Sequence, residues 1–257
     1  MNRRAFLVAG VGLCLCSKAS WGQSRGPDTG RLIAIGGGQM RQPVSQALRQ
    51  YGGNRWVMIP TASPDYKVAR VPPKWMGSSA VLLHTRDRVL ANNESFIAPL
   101  LQATAVFFNG GRQYRLVDAY AGTLTEKALR GLLNRGGLIA GTSAGATILG
   151  SYLVRGAPSE DASILMCPAH ERGFGYLSEV AIDQDVDARN RIYDLGQVVA
   201  RYPSLLGIGL DEGTGILVED NIMTVLGPDS VYITRAKQPL YSLTPGMRFD
   251  IANRRRI

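Results

Sequence analysis

The chain predicts an α/β fold: a mostly parallel sheet with helices on both faces, followed by extra C-terminal strands. Three observations carry this. Continuous apolar runs alternate with amphipathic stretches from Arg31 to Leu149, as strands buried on both faces alternate with the helices that cover them. Glycine-rich turns at Gly36-Gly37-Gly38, at Gly110-Gly111 and from Gly141 to Gly145 each follow such a run, at the strand ends where parallel sheets gather their sites. No linker interrupts residues 23–257, so they read as a single α/β domain.

The N-terminal residues have a different character. Arg3 and Arg4 precede an apolar run from Ala5 to Cys16, and Ser20-Trp21-Gly22 supplies small residues where a signal peptidase needs them. Residues 1–22 therefore read as a twin-arginine-like signal peptide, and the protein as exported, to the periplasm or beyond. The run is too short for stable membrane insertion. Cleavage removes Cys14 and Cys16, leaving Cys167 alone with two histidines, so neither an internal disulfide nor a metal cluster has the residues it needs. Losing Arg3, Arg4 and Lys18 also lowers the formal net charge of +9 by three. The remaining excess carries no basic run interleaved with aromatics, which argues against nucleic acid as a partner.

Along the mature chain, Arg31 to Ile35 is the first strand, and Pro43 to Tyr51 a helix with proline near its first position. The glycine turn between them has neither the lysine of a phosphate loop nor dinucleotide spacing, so it reads as a crowded strand–helix turn. Arg55 to Ile59 is the second strand and Val81 to Leu83 the third; a helix follows over Asn93 to Leu101. Ala105 to Phe108 is the fourth strand, and a helix from about Thr125 to Leu133 leads to the strand at Leu138. Beyond residue 159, Leu206 to Leu210 and Gly215 to Val218 look like later strands, and Ile222 to Thr234 suggests antiparallel hairpins.

The chemistry centres on Gly136 to Leu149. Leu138-Ile-Ala140 ends a buried strand, Gly141-Thr-Ser-Ala-Gly145 turns, and Ala146 to Leu149 starts a helix. In that context Gly-x-Ser-x-Gly places a serine hydroxyl on a sharp elbow, with helix N–H groups aimed at whatever bonds to Ser143. A tight turn with an idle serine is the alternative.

Together with Phe108-Asn-Gly-Gly-Arg-Gln113 and Leu206-Gly-Ile-Gly-Leu-Asp-Glu212, the elbow resembles cyanophycinase and its relatives, the dipeptidase E type of serine peptidases, from about Leu32 to Val225. The resemblance implies a fold like class I glutamine amidotransferases and no cofactor. It also implies cleavage of peptide or isopeptide bonds near aspartyl groups; cyanophycinase itself cuts a polymer with a poly-aspartate backbone bearing arginine side groups. Carried over by position, Ser143 is the nucleophile, and the N–H groups of Ala144 and of Gly110 or Gly111 form the oxyanion hole. Gln113 is a substrate contact. Asp183-Gln184-Asp185-Val186 stands where the family has Asp-Gln-His-Phe, with Arg189 and Arg191 at the offsets of substrate-binding arginines. The catalytic histidine is thus replaced by Asp185, and its orienting acid falls near Glu160 or Asp161. Two more positions depart: the family's acid before Gln113 is Arg112, and a later arginine is Asp194. Such a swap predicts that Arg112 and Asp194 pair across the crevice.

An aspartate is a weak base at neutrality, with an unperturbed pKa of about 3.9. His170 is an alternative base, and His84 edges the crevice, although either can be a structural histidine. Asp211 and Glu212 read as a turn after a strand. Two functions therefore compete: an exported serine hydrolase acting on aspartyl-peptide-like substrates, and a catalytically degenerate relative that binds a small peptide or amino-acid-like ligand. A homodimer stays open as the assembly.

Overall fold

The computed structural model describes residues 24–64, 72–158, 163–165 and 170–257. Its elements are β1 (Arg31–Ile35), α1 (Gln42–Gly52), β2 (Trp56–Ile59), a 3-10 turn (Lys74–Met76), β3 (Val81–Leu82), α2 (Arg88–Ala91), α3 (Glu94–Gln102), β4 (Ala105–Phe108), α4 (Tyr114–Tyr120) and α5 (Leu124–Asn134). There follow β5 (Leu138–Thr142), α6 (Ala144–Thr147), β6 (Gly150–Tyr152), β7 (Leu177–Gln184), α7 (Leu195–Arg201), β8 (Leu206–Leu210), β9 (Gly215–Glu219), β10 (Ile222–Leu226), β11 (Val231–Thr234), β12 (Tyr241–Leu243), β13 (Arg248–Asp250) and β14 (Arg255–Arg256). The proposed signal peptide lies outside the described residues.

The apolar runs form strands because both sheet faces are covered. In β1, Leu32 and Ala34 enter one core layer while Ile33 and Ile35 enter the other. The same alternation splits Val57 and Ile59 from Trp56 and Met58, and Val106 and Phe108 from Ala105 and Phe107. Helix α1 closes one face through Val44, Ala47 and Leu48, spaced for a single helical stripe. Helices α3, α4 and α5 close the other face; α5 uses Ala128, Leu129, Leu132 and Leu133. Two helix starts are capped: Asp87 Oδ1 accepts from the Val89 N–H and Asn93 Oδ1 from that of Ser95.

The described residues form two sheets. The first has nine strands in the order β14-β13-β10-β9-β1-β5-β4-β2-β3, parallel from β1 to β3 and antiparallel from β9 outward. The second has five, β12-β11-β8-β7-β6, with β6, β7 and β8 parallel. The expected later strands exist but divide between them: β8 joins the second sheet and β9 the first. Likewise β10 and β11 do not form a hairpin with each other. Each pairs antiparallel within its own sheet, β10 with β9 and β13, β11 with β8 and β12. The inner face of the second sheet, through Val180, Ile182, Leu206 and Ile208, packs into the same core layer as α3–α5.

The chain first crosses between sheets at residue 143, directly after β5. Ser143 N–H donates to the Ile35 carbonyl (2.9 Å), and Asp185 N–H, just past β7, donates to that of Gly36 (3.1 Å). The turn after β1 thereby ties the end of one sheet to the end of the other. Far from this point, Glu179, in left-handed backbone at φ 53°, takes Arg25 at 2.8 Å and Arg254 at 3.3 Å. One carboxylate of β7 thus clasps both the lead-in and the C-terminal tail. Among the described residues, no helix is long and apolar enough to cross a membrane.

Candidate active site

Ser143 stands between β5 and α6 with φ 54° and ψ −118°. A residue with a Cβ avoids these angles, and holding it there costs about 1–3 kcal/mol. The structure imposes them from both sides. The N–H is fixed to β1, and the carbonyl accepts from Ala146 N–H (2.8 Å) and Thr147 N–H (3.1 Å). The helix that follows is a single turn, starting at Ala144 rather than Ala146, so its first unpaired N–H groups begin at the residue after the serine. Gly110 lies alongside: a Cβ built there would sit 3.2 Å from Ser143 Cβ and 3.5 Å from its Oγ. Gly111 (φ 142°) and Arg112, whose N–H donates to the Ala62 carbonyl (2.8 Å), carry the loop away.

The Ser143 hydroxyl donates to Gln184 Oε1 at 3.3 Å. The expectation that it faces the Asp185 carboxylate is corrected: it faces an amide. The reason lies in the backbone. Asp185 adopts φ 54°, which turns its side chain toward the first glycine turn, where a Cβ on Gly37 would overlap Asp185 Oδ1. Only glycine allows that approach. Asp185 Oδ2 takes Arg189 Nε at 3.1 Å, while the buried Oδ1 has no hydrogen-bond partner among the described residues. Burial pushes the Asp185 carboxyl above the usual carboxylate range, and Arg189 opposes the shift.

On the α7 face of β7, opposite Gln184, sits a largely buried charge cluster. Asp183 is fully buried, and Arg155 reaches both of its oxygens at 3.2–3.3 Å while also bonding Asp194 Oδ2. Burial alone would disfavour the Arg155 charge; the two carboxylates override it and hold its pKa above the ordinary value. Asp183 Oδ1 also accepts from Gln184 N–H (3.0 Å). A connected path therefore runs from Ser143 through Gln184 and Asp183 to Arg155. Asp194 is thus partnered by Arg155, and among the described residues no ion pair joins it to Arg112, so the expected pairing is corrected. Gln113 is buried, and its amide donates to the carbonyls of Val154 (2.7 Å) and Arg155 (2.9 Å), so it braces the turn that carries Arg155.

Arg155 was invisible in the sequence. The one hint was Asp183 directly after the apolar run Val180 to Ile182, since a carboxylate at a buried strand position requires a cation. Arg191 is half-buried with no side-chain partner among the described residues. Burial, then Arg155 and Arg189, lower its pKa, with Asp183 and Asp194 opposing.

Neither histidine nitrogen hydrogen-bonds Ser143. His170 Nε2 meets Asp118 Oδ1 at 2.8 Å, its ring edge-on to Tyr114. His84 Nδ1 meets Thr61 Oγ1 at 2.8 Å, and Thr61 meets the Tyr120 hydroxyl at 2.6 Å. Asp211 makes the expected turn after β8, its carbonyl accepting from Thr214 N–H (3.2 Å), while its Oδ1 accepts the N–H groups of Asp187 and Ala188 at 3.2 Å. Glu160 and Asp161 lie outside the described residues. Among those described, no group of three or more His, Cys, Asp or Glu could hold a metal ion.

The sequence profile of Peptidase family S51 matches residues 32–226. A cyanophycinase from Trichormus variabilis is 30% identical over 215 residues, covering 79% of this chain and 72% of the relative. One from Geminocystis herdmanii is 30% identical over 224 residues, 82% of each chain. One from Synechococcus elongatus is 32% identical over 227 residues, 83% of this chain and 70% of the relative. Among solved structures, a peptidase from an acI-B1 Actinobacterium superposes with a TM-score of 0.68 at 22% identity, covering 88% of this chain and 98% of that one, which shows the shared fold.

Proposed function

Since the chain belongs to Peptidase family S51, we propose that it is an exported cyanophycinase-like serine hydrolase, cleaving peptide or isopeptide bonds next to aspartyl groups with Ser143 as nucleophile. The observation that carries this reading is the Ser143 backbone. Strain at a non-glycine elbow persists only where the surroundings enforce it, and here it holds the serine at the start of α6 and alongside Gly110. In this mechanism Ser143 Oγ attacks the carbonyl carbon. The developing oxyanion takes hydrogen bonds from Ala144 N–H and from the Gly110 or Gly111 N–H.

Proton removal is the weak step. Gln184 orients the hydroxyl, but an amide does not take its proton. Asp185 meets one requirement of a base, a carboxyl raised by burial, and lacks the other, contact with Ser143. Turnover therefore rests on the oxyanion donors and on binding, worth roughly 10³–10⁴ over water when a triad member is missing.

Labelling with a fluorophosphonate probe tests the reading. Slow labelling that Ser143→Ala abolishes is the expected result. Labelling equal in wild type and Ser143→Ala overturns it. A second reading, a binder without hydrolysis, is favoured by the engagement of Asp185 with Arg189 and the Gly37 turn. It takes over if no variant labels while an aspartyl peptide still binds.

A further inference from the structure

A cavity of about 470 Å³ opens on the outer face of the second sheet, between α7 and the segment that leaves β11. Small-molecule sites occupy about 300–1,000 Å³. None of its lining residues takes part in the mechanism proposed for Ser143. Gly196, Val199 and Ala200 stand three and four positions apart, so one stripe of α7 faces the space. A Cβ built on Gly196 would meet nothing within 4 Å. Across from this stripe β11 alternates: Ile233 enters the core, while Thr234 turns toward α7, its Cβ 3.2 Å from the Cβ that Gly207 lacks.

The polar groups of this wall are donors in want of an acceptor. Thr234 is only 6% exposed, and its Oγ1 has no hydrogen-bond partner among the described residues. Arg235 Nη1 donates to the Arg254 carbonyl (3.1 Å), but its buried Nε has no partner among the described residues. A guanidinium N–H can only donate, and leaving such a group buried and unpaired is unfavourable. With no hydrogen bond to hold it, the Thr234 hydroxyl can rotate toward a ligand. Lys237 adds a second positive charge at the exposed rim, and no carboxylate lines the cavity among the described residues. The rest of the wall, with Val199 and Leu240, is apolar, and the exposed Tyr193 ring stands at its edge. We propose that this cavity is a binding site for a small aromatic carboxylic acid, its carboxylate taken by Arg235 and Thr234 and its ring laid along the α7 stripe beside Tyr193.

Calorimetry on the intact protein with 3-phenylpropionate, its neutral amide and 3-phenylpropylamine tests this. The acid should bind roughly 10-fold or more tightly than the amide, the size of one hydrogen bond to a charged group, and the amine should not bind. Gly196→Leu, which fills the cavity without displacing a neighbour, should abolish acid binding and leave probe labelling at Ser143 as in the wild type. Arg235→Gln should erase the preference for the acid over the amide. If Arg235→Gln does not fold, Thr234→Val supplies the test: it should weaken acid binding several-fold and raise the melting temperature, because it removes a buried hydroxyl without a partner. Acid bound no more tightly than the amide overturns the proposal. So does binding that is unchanged in folded Gly196→Leu or Arg235→Gln, or no binding of the acid at millimolar concentration.

Discussion

Replacing Ser143 by glycine should make the protein more stable than replacing it by alanine, the reverse of the usual order. Both variants lose the 3.3 Å hydrogen bond to Gln184, so that contact cancels in the comparison. Alanine keeps a Cβ at φ 54° and ψ −118°, and therefore keeps about 1–3 kcal/mol of backbone strain. Glycine relieves the strain but gives up about 0.5–1 kcal/mol of chain entropy. The difference leaves Ser143→Gly ahead by about 1 kcal/mol, a gain of about 2–4 °C in melting temperature for a chain of this size. Urea unfolding of the two variants, read at matched m-values alongside melting curves, checks the sign. If Ser143→Gly proves equal to or less stable than Ser143→Ala, the elbow is not strained, and the strongest support for a nucleophile is gone.

Asp185→Asn should gain stability over wild type as pH rises. Burial raises the folded carboxyl above its unfolded value, so Asp185 contributes stability below the unfolded pKa and loses it as pH rises through the folded one. The Arg189 side chain is more than half exposed, so losing that pair costs little. Urea midpoints across the acid-to-neutral range should diverge, and parallel curves refute the assignment. For export, N-terminal sequencing should find a mature chain starting near Gln23 in a periplasmic or secreted fraction; the full-length chain in the cytosol refutes that reading.

Much of the first sheet was legible because β1, β2, β4 and β5 are buried on both faces, which leaves an uninterrupted apolar run. The second sheet was harder to read. Its longest strand, β7, mixes Ser178, Glu179, Asp183 and Gln184 among apolar residues, because its ends meet charge partners rather than core. At the site, Ser143 announced itself through local glycine chemistry. The direction of the Asp185 side chain did not, since it depends on a left-handed backbone angle and on the room left by Gly37. Pairing was also misread: an acid–base swap suggested Arg112 for Asp194, whereas the cation comes from the turn after β6, an element that no spacing in the sequence connects to α7.

The clasp at Glu179 has a topological consequence. Because Arg25 and Arg254 grip the same carboxylate, the two tails of the folded body meet on one flank of β7. A short peptide could seal them, and the chain could be reopened between β10 and β11, whose connection runs from one sheet to the other without pairing to itself. Every ladder would survive that reordering. The gene order of this fold, with the β7 half following the elbow, is therefore one of several circular orders compatible with the same packed body.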